Sequence, residues 1–261
     1  MTAVAARTAV APIQAETTLR SEQTSQLVLG ETATVVESAG EWHRIRTDLD
    51  GYTGWVHTGY CILLDDEAAE AWRQDAAGWS GGALVRPGDA QVRLPLRARV
   101  ALDGDAVRLP DGRRGRLVEG QVTPRADAVA AARAKAPERW AAEHFGGSPY
   151  QWGGVTPWGV DCSGLVQSTF LARGLTLPRD SGEQAGCGAT VALDAVRPGD
   201  LVFFRGTTTD RITHVAFAGE ADTLIHSALS VGGVVQESWL PGSRAGSLRD
   251  LVVAVRRLEP R

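Results

Sequence analysis

The stretch Asp161-Cys-Ser-Gly-Leu-Val-Gln-Ser-Thr-Phe170 places a cysteine directly after a helix-capping residue. Asp161 is a favourable N-cap and Gly174 a favourable stop, so we predict a helix between them. A thiol at this end of a helix lies beside the positive end of the helix dipole and beside free backbone N–H groups. We therefore expect a lowered pKa for the Cys162 thiol and hydrogen-bond donors for a developing oxyanion. Gly164, one turn in, would let a substrate backbone approach closely. The alternative is an inert cysteine that only packs, because free cysteines are commonly buried.

Two of the five histidines lie on neighbouring predicted strands downstream of this helix. His214 lies in the strand Ile212–Ala218, and His226 lies in the strand Thr223–Ser227. If their hairpin is centred on Glu220, the two histidines lie directly opposite each other, with Cβ atoms roughly 4.5 to 5.5 Å apart on one face. Such a pair could be a base and its orienting partner, or two ligands of a metal ion. No carboxylate or third histidine lies at ligand spacing, which favours the base and its partner.

The second half of the chain predicts an α+β domain. An Ala-rich helical segment, Pro124–Phe145, contains Pro137 as an acceptable first residue of a second helix. The helix that carries Cys162 follows, and a run of strands comes after it. Helices followed by antiparallel strands are typical of the α+β class. The predicted strands are Leu201–Arg205, Ile212–Ala218, Thr223–Ser227, Gly233–Glu237 and Leu251–Arg257.

The first half predicts two small all-β barrels. Short strands, including Trp42–Thr47 and Gly54–His57, are separated by turn signals, and an acidic helical linker follows them. Strand patterns return with the hairpin turns Asp103-Gly104 and Asp111-Gly112. We divide the chain into a first barrel at 1–66, a linker at 67–82, a second, divergent barrel at 83–124 and the α+β domain at 125–261.

Composition and charge exclude several classes of protein. The 261 residues carry 27 Lys and Arg against 31 Asp and Glu, a formal charge of −4, which argues against a nucleic-acid partner. Cys61, Cys162 and Cys187 are too few and too widely spaced for a disulfide framework or a zinc site, so we expect no metal and no cofactor. No apolar run approaches the ~20 residues of a membrane span. The segment Met1–Ala15 lacks the basic start of a secretory signal, so we expect a cytoplasmic protein. A secreted protein whose signal had been removed is the alternative.

Six motifs occur in the order found in the NlpC family of bacterial cell-wall cysteine peptidases, which the stretch from Ala126 to Arg257 resembles. They are Tyr150-Gln-Trp-Gly-Gly154, Asp161-Cys-Ser-Gly-Leu-Val166, Leu177-Pro-Arg-Asp-Ser181, Arg197-Pro-Gly-Asp-Leu-Val-Phe-Phe204, His214-Val215 and His226-Ser227. The resemblance implies a papain-like fold with Cys162 as nucleophile, His214 as general base and His226 as the residue that orients it. It further implies that Tyr150 lies beside the oxyanion hole and that Asp161, Ser163, Asp180 and Ser181 line the substrate groove.

The first barrel is similar to the bacterial SH3-like domains that precede this catalytic domain, through Trp42-His-Arg-Ile-Arg46 and the stretch Asp50-Gly-Tyr-Thr-Gly-Trp-Val56. Members of this architecture cleave between D-glutamate and the diamino acid of murein peptides. They prefer a free N-terminal L-alanine, which an acidic residue of the first barrel helps to recognise. The resemblance assigns that role to Glu22 and a place on the groove wall to Tyr52. The second barrel departs from the pattern, since Gly115-Arg116 replaces the Gly-Trp pair, and we expect an architectural role for it.

The implied function is a monomeric, cytoplasmic, metal-free endopeptidase that acts on free murein peptides during peptidoglycan recycling. Three alternatives stay open: a secreted hydrolase of intact cell wall, an amidase or acyltransferase on the same scaffold, and a wall-binding protein without catalysis. An intact set of Cys162, His214 and His226 argues against the last of these. Cys61 is expected in the core, and nothing in the sequence supplies Cys187 with a base.

Overall fold

A computed structural model describes residues 2–258 of the chain. The chain divides into two compact units, the first ending at Ala128 and the second beginning at Val129. None of the helices in this part of the chain is long and apolar enough to cross a bilayer.

The first unit begins with a seven-stranded antiparallel sheet. Its core consists of small and branched side chains such as Val4, Ile13 and Ile45, which are fully buried. The first two strands were not predicted, because an Ala- and Val-rich start has no alternation of polar and apolar residues to mark it. The strands are β1 (Ala3–Ala6), β2 (Val10–Gln14), β3 (Gln23–Val28), β4 (Thr32–Ala39), β5 (Trp42–Thr47), β6 (Thr53–His57) and β7 (Cys61–Leu64), in the order β3-β2-β6-β5-β4-β1-β7.

A short helix and a closed barrel complete the first unit. Helix α1 (Asp66–Asp75) starts at Asp65, whose Oδ1 accepts the Ala68 N–H at 2.8 Å. The barrel begins at Gly78, inside the segment 67–82 that was predicted as a linker, so the four-part division stays a prediction. Gly104 and Gly112 have positive φ angles, which confirms both predicted hairpin turns. The barrel strands are β8 (Gly78–Arg86), β9 (Val92–Asp103), β10 (Ala106–Arg108) and β11 (Arg114–Pro124).

The second unit has the predicted α+β arrangement. The helices are α2 (Arg125–Arg133), which begins at the end of the first unit, α3 (Pro137–Phe145), α4 (Cys162–Ala172) and α5 (Ser181–Gln184). The strands are β12 (Val155–Thr156), β13 (Gly159–Val160), β14 (Ala189–Thr190), β15 (Leu201–Arg205), β16 (Ile212–Ala218), β17 (Thr223–Ala228), β18 (Gly233–Ser238) and β19 (Val252–Arg257). Helix α4 is buried along its whole length and packs against strands β16 and β17 of a six-stranded antiparallel sheet, in the order β14-β19-β15-β16-β17-β18. Pro137 is the first residue of α3, as expected.

Candidate active site

Cys162 is the first residue of the buried helix α4. Asp161 caps this helix as predicted, since its Oδ1 accepts the Gly164 N–H at 2.7 Å. Its other oxygen, Oδ2, accepts the Gly153 N–H at 2.8 Å. The two hydrogen bonds join the start of α4 to the loop that precedes β12, and so fix the position of the cysteine between them.

A buried arginine holds both residues that flank the cysteine. Arg179 Nη2 lies 2.6 Å from Asp161 Oδ2, and Arg179 Nη1 donates to Ser163 Oγ at 2.8 Å. Asp161 is 5% exposed and Ser163 6% exposed. Their predicted contact with substrate stays a prediction, whereas their contact with Arg179 gives both a positioning role. Arg179 was not singled out from the sequence, although it lies within the motif Leu177–Ser181.

The expected role of Gly164 is wrong. An ideal Cβ at this position would lie 2.0 Å from the carbonyl oxygen of Gly154, so the close neighbour is the protein's own backbone. The glycine lets the loop before β12 lie directly on the first turn of α4. It therefore serves the packing of the catalytic helix rather than the approach of a substrate.

The pKa of the Cys162 thiol moves in the direction opposite to the one expected from the helix dipole. Burial, with the Asp161 carboxylate adding to it, raises the pKa to about 12. Hydrogen bonds from the backbone N–H groups of Val215 and Ser163 to the sulfur oppose this rise only in part. The contact with Val215 nevertheless places the sulfur beside the strand position next to His214.

The two predicted histidines meet, but in a different register. Phe217 pairs with Ile225 and Ala218 with Leu224, so the turn is centred on Ala221 rather than Glu220. Ala221 and Asp222 both have a φ of 53°, the left-handed conformation of a tight hairpin turn. Because the register differs by two residues, the histidines are not directly opposite each other as predicted. They still share one face of the sheet, since strand side chains alternate with a period of two.

On that face, His214 and His226 are joined ring to ring, with His214 Nε2 2.7 Å from His226 Nδ1. Burial, together with His226 and Arg244, lowers the pKa of His214 to about 3, so its imidazole is neutral at neutral pH. Burial also lowers the pKa of His226, although the Glu237 carboxylate opposes that shift. Nδ1 is the remaining nitrogen of His214, and it is the atom that can take the thiol proton.

Comparison with known proteins agrees with this geometry. Residues 147–244 match the model of the NlpC/P60 family. The second unit carries an NlpC/P60 cysteine peptidase domain. Residues 18–59 match the bacterial dipeptidyl-peptidase Sh3 domain, which confirms the SH3-like prediction for the start of the chain.

Two curated relatives extend over both regions. The gamma-D-glutamyl-L-lysine dipeptidyl-peptidase of Bacillus subtilis (strain 168) is 29% identical over 80% of this chain and 69% of its own length. The protein of the same name from Bacillus cereus is 26% identical over 78% of this chain and 66% of its own. The chain thus spans about two thirds of the length of these relatives. A crystal structure of an NlpC/P60 family protein from Bacillus cereus, 20% identical, superposes with a TM-score of 0.77 over 99% of this chain and 100% of that one, which supports the fold.

Two further residues, Glu237 and Arg244, continue the hydrogen bonds of the His214–His226 pair in the NlpC/P60 domain, and neither was predicted. His226 Nε2 lies 2.7 Å from Glu237 Oε1 on β18, and Arg244 Nε donates to Glu237 Oε2 at 2.8 Å. The pairing of Leu224 with Glu237 sets this carboxylate on the histidine face. Alternation along β18 was the available signal, but the sequence alone did not give the register between β17 and β18.

Tyr150 of the NlpC/P60 domain lies close to the nucleophile. Burial raises the pKa of its hydroxyl to about 12, and the neighbouring Cys162 and Asp161 add to that rise. The phenol therefore stays protonated at neutral pH and can donate a hydrogen bond. Its backbone is held by a hydrogen bond from the Tyr150 N–H to the Gly232 carbonyl at 2.8 Å.

The remaining predicted site residues are distributed over both units. Asp180 is exposed at the start of α5, and its carbonyl accepts the N–H groups of the next turn; Ser181, half-buried, is the first residue of that helix. Glu22 is exposed just before β3, and Tyr52 is half-buried just before β6. Substrate contacts of all four stay predictions.

The other two cysteines differ from Cys162. Cys61 is buried in the core of the first unit, as expected, and burial raises its pKa to about 12. Cys187 is half-exposed, and its Sγ lies 3.8 Å from the Glu183 carbonyl oxygen. Within residues 2–258, no group of three or more His, Cys, Asp or Glu side chains is arranged to hold a metal ion.

Proposed function

We propose that the chain hydrolyses the bond between D-glutamate and an L-diamino acid in murein peptides that carry a free N-terminal L-alanine. The observation that carries the proposal is the hydrogen-bonded pair of His214 and His226 in an NlpC/P60 domain, with the N–H of Val215, the neighbour of His214, donating to the sulfur of Cys162. The names of the two Bacillus relatives support the choice of a γ-D-glutamyl bond.

The reaction begins from a neutral thiol and a neutral imidazole, because the pKa of Cys162 is raised and that of His214 is lowered. As Sγ attacks the γ-carbonyl carbon of D-glutamate, the thiol proton passes to Nδ1 of His214. The carbonyl electron pair moves onto oxygen, where the Cys162 N–H and the Tyr150 hydroxyl donate hydrogen bonds.

Collapse of this intermediate breaks the C–N bond and leaves a thioester on Cys162. His214 returns its proton to the amine of the departing diamino acid. Water then attacks the thioester while His214 takes its proton, and the thiol leaves reprotonated. Each proton transfer thus uses the same ring nitrogen, Nδ1 of His214, with the thiol, the leaving amine and water in turn.

Recognition of the free amine is the second part of the proposal. An ammonium group needs a carboxylate partner when it loses water in a groove, and we assign that partner to Glu22, with Tyr52 on the groove wall. In intact peptidoglycan the amine of L-alanine is already acylated. Cytoplasmic recycling of free peptides by a monomeric enzyme is therefore the setting that we propose.

The test is incubation of the purified protein with L-Ala-γ-D-Glu-diaminopimelate, with and without an N-acetyl cap, and identification of products by mass. We expect cleavage after D-glutamate in the free peptide only. Equal cleavage of both peptides would contradict amine recognition and favour a hydrolase of intact wall. No cleavage of either peptide would contradict the proposed bond.

Variants separate the two parts of the proposal. Cys162→Ala should abolish turnover and leave the fold intact. Cys187→Ala should keep both the turnover and the fold. Glu22→Gln should raise KM for the free peptide and leave kcat nearly unchanged. Glu16→Gln, another exposed carboxylate in the same loop region, is the matched control. Equal effects of the two glutamine variants would remove Glu22 from recognition.

A further inference from the structure

A row of four side chains leads from the catalytic base to the protein surface. His214 Nε2 contacts His226 Nδ1, and His226 Nε2 contacts Glu237 Oε1, each at 2.7 Å. Arg244 then binds Glu237 with both Nε and Nη2. His214 is half-buried, and from His226 onward exposure rises from 1% of its side chain to 18% of Glu237 and 45% of Arg244.

The direction of each hydrogen bond in this row follows from the chemistry of its acidic end. An ionised carboxylate only accepts hydrogen bonds, so Glu237 requires a proton on Nε2 of His226. Neutral His226 then carries no proton on Nδ1, which becomes an acceptor. His214 must therefore donate from Nε2, and this leaves the lone pair of His214 on Nδ1.

Glu237 can act in this way only while it is ionised. Burial of its carboxyl group raises the pKa, but hydrogen bonds from Arg244 and His226 outweigh burial, and the net shift is downward. Arg244 is itself anchored, because its Nη1 donates to Ser230 Oγ at 2.9 Å. The charged groups facing the histidine pair are thus Glu237 on β18 and Arg244 in the segment after it.

We propose that Glu237, held by Arg244, is a positioning residue that sets the tautomer of both histidines and so leaves Nδ1 of His214 free to take the thiol proton. This inference rests on the proposed function, in which His214 is the base for Cys162. The row extends the set of Cys162, His214 and His226 by two residues, Glu237 and Arg244, that act through His226.

Glu237→Gln tests the inference directly. A side-chain amide can donate to Nε2 of His226, which would reverse the two hydrogen bonds that join residue 237, His226 and His214 and place the proton of His214 on Nδ1. We expect kcat to fall by ~10-fold to ~10⁴-fold, the upper end being the loss caused by a wrong histidine tautomer in a serine protease triad. KM should be little changed, because the row lies behind the base.

The tautomers themselves can be read without substrate. Long-range ¹H–¹⁵N correlation spectra of histidine-labelled protein distinguish Nδ1–H from Nε2–H, with His214 and His226 assigned by single replacements. We expect Nε2–H on both rings in the wild type and Nδ1–H on both in Glu237→Gln. Glu220→Gln is the matched control: Glu220 pairs with Arg139 and should leave both rings as in the wild type.

Two further variants keep the test decisive if Glu237→Gln does not fold. Glu237→Asp keeps the charge and should restore the Nε2–H tautomers and part of kcat. Arg244→Gln should raise the pKa of Glu237. As the pH is lowered, the variant should therefore lose activity at a higher pH than the wild type does. If the pH profile of Arg244→Gln falls at the same acidic pH as that of the wild type, the role of Arg244 in holding Glu237 ionised would be contradicted.

The outcomes separate this inference from the proposed function. One outcome is that the wild type cleaves the peptide but the histidine tautomers are the same in Glu237→Gln as in the wild type. This outcome would overturn the role of Glu237 and keep the peptidase. Tautomers that change as expected in a protein that does not cleave the peptide would overturn the substrate and keep the role of Glu237. In that case, the rate at which iodoacetamide alkylates Cys162 in a Cys187→Ser background would replace kcat and should fall in Glu237→Gln.

Discussion

Arg179 Nη2 lies 2.6 Å from Asp161 Oδ2 in an ion pair that is shielded from solvent on both sides, one residue away from the nucleophile. Asp161 caps the helix that begins with Cys162, so the arginine acts on the cysteine through the cap. The geometry of the nucleophile therefore depends on a buried charge pair.

Replacing Arg179 by methionine should lower the stability of the protein, because it leaves the charge of the buried Asp161 carboxylate without its positive partner. We expect a loss of ~3–5 kcal/mol in the free energy of unfolding, measured with urea. Arg139→Met, at an exposed ion pair with Glu220, is the control and should leave the unfolding curve in place. A loss no larger than that of the control would mean that Asp161 tolerates the absence of its partner.

Gly164→Ala should disturb the first turn of α4. The added methyl group would lie 2.0 Å from the Gly154 carbonyl oxygen, and neither backbone can give way cheaply. We expect a lower melting temperature and a marked loss of kcat. Gly182→Ala in α5 is the matched control, because nothing lies within 4 Å of an added Cβ there. Similar behaviour of the two variants would show that α4 and the loop before β12 can separate without cost.

Alkylation of Cys162 by iodoacetamide should be slow at neutral pH. With a pKa of about 12, the thiol would carry ~10³-fold less thiolate near pH 8 than an unperturbed cysteine of pKa ~8.5. In a Cys187→Ser background, we expect the alkylation rate to rise with pH beyond pH 9 without a plateau. A plateau at or below pH 8 would indicate a thiolate–imidazolium pair in the resting enzyme.

Acid should destabilise the fold through His214. The pKa of this residue is about 3 in the folded protein, and its ordinary value is 6.5. Between these two pH values the unfolded chain binds a proton that the folded chain does not bind. The contribution is complete above pH 6.5 and falls by about 1.4 kcal/mol for each pH unit below it, until pH approaches 3. Urea unfolding of the wild type and of His214→Gln between pH 5 and 7.5 checks this. The wild-type stability should fall more steeply, and parallel curves would contradict a His214 imidazole that stays neutral in the folded protein.

Local signals in the sequence were sufficient for much of the catalytic domain. Asp161 and Gly174 mark the ends of the helix segment correctly, because capping and glycine stops act within one turn. The strands β15 and β16 have the predicted bounds. That His214 and His226 share a face followed from the parity of their spacing, whereas the turn centre depended on the left-handed backbone of Ala221 and Asp222.

Features that depend on tertiary packing were not predicted. The sign of the pKa shift at Cys162 depends on burial, which outweighs the helix dipole and cannot be read from the capping motif. Glu237 joins His226 only through the register between β17 and β18. Residues 3–14 form two strands because partners elsewhere in the first sheet bury them, and not because their own pattern marks a strand.

The strands on either side of the turn between β16 and β17 constrain how the chain can vary by insertion and deletion. A single residue gained or lost inside either strand, between the paired positions and its histidine, would turn that histidine toward the opposite face unless a bulge absorbed the change. A residue gained or lost in 219–222 changes only the loop, because these residues lie outside the paired positions. The loop can therefore vary in length among relatives that keep the enzyme, whereas a one-residue change in either strand would remove activity and leave a folded domain.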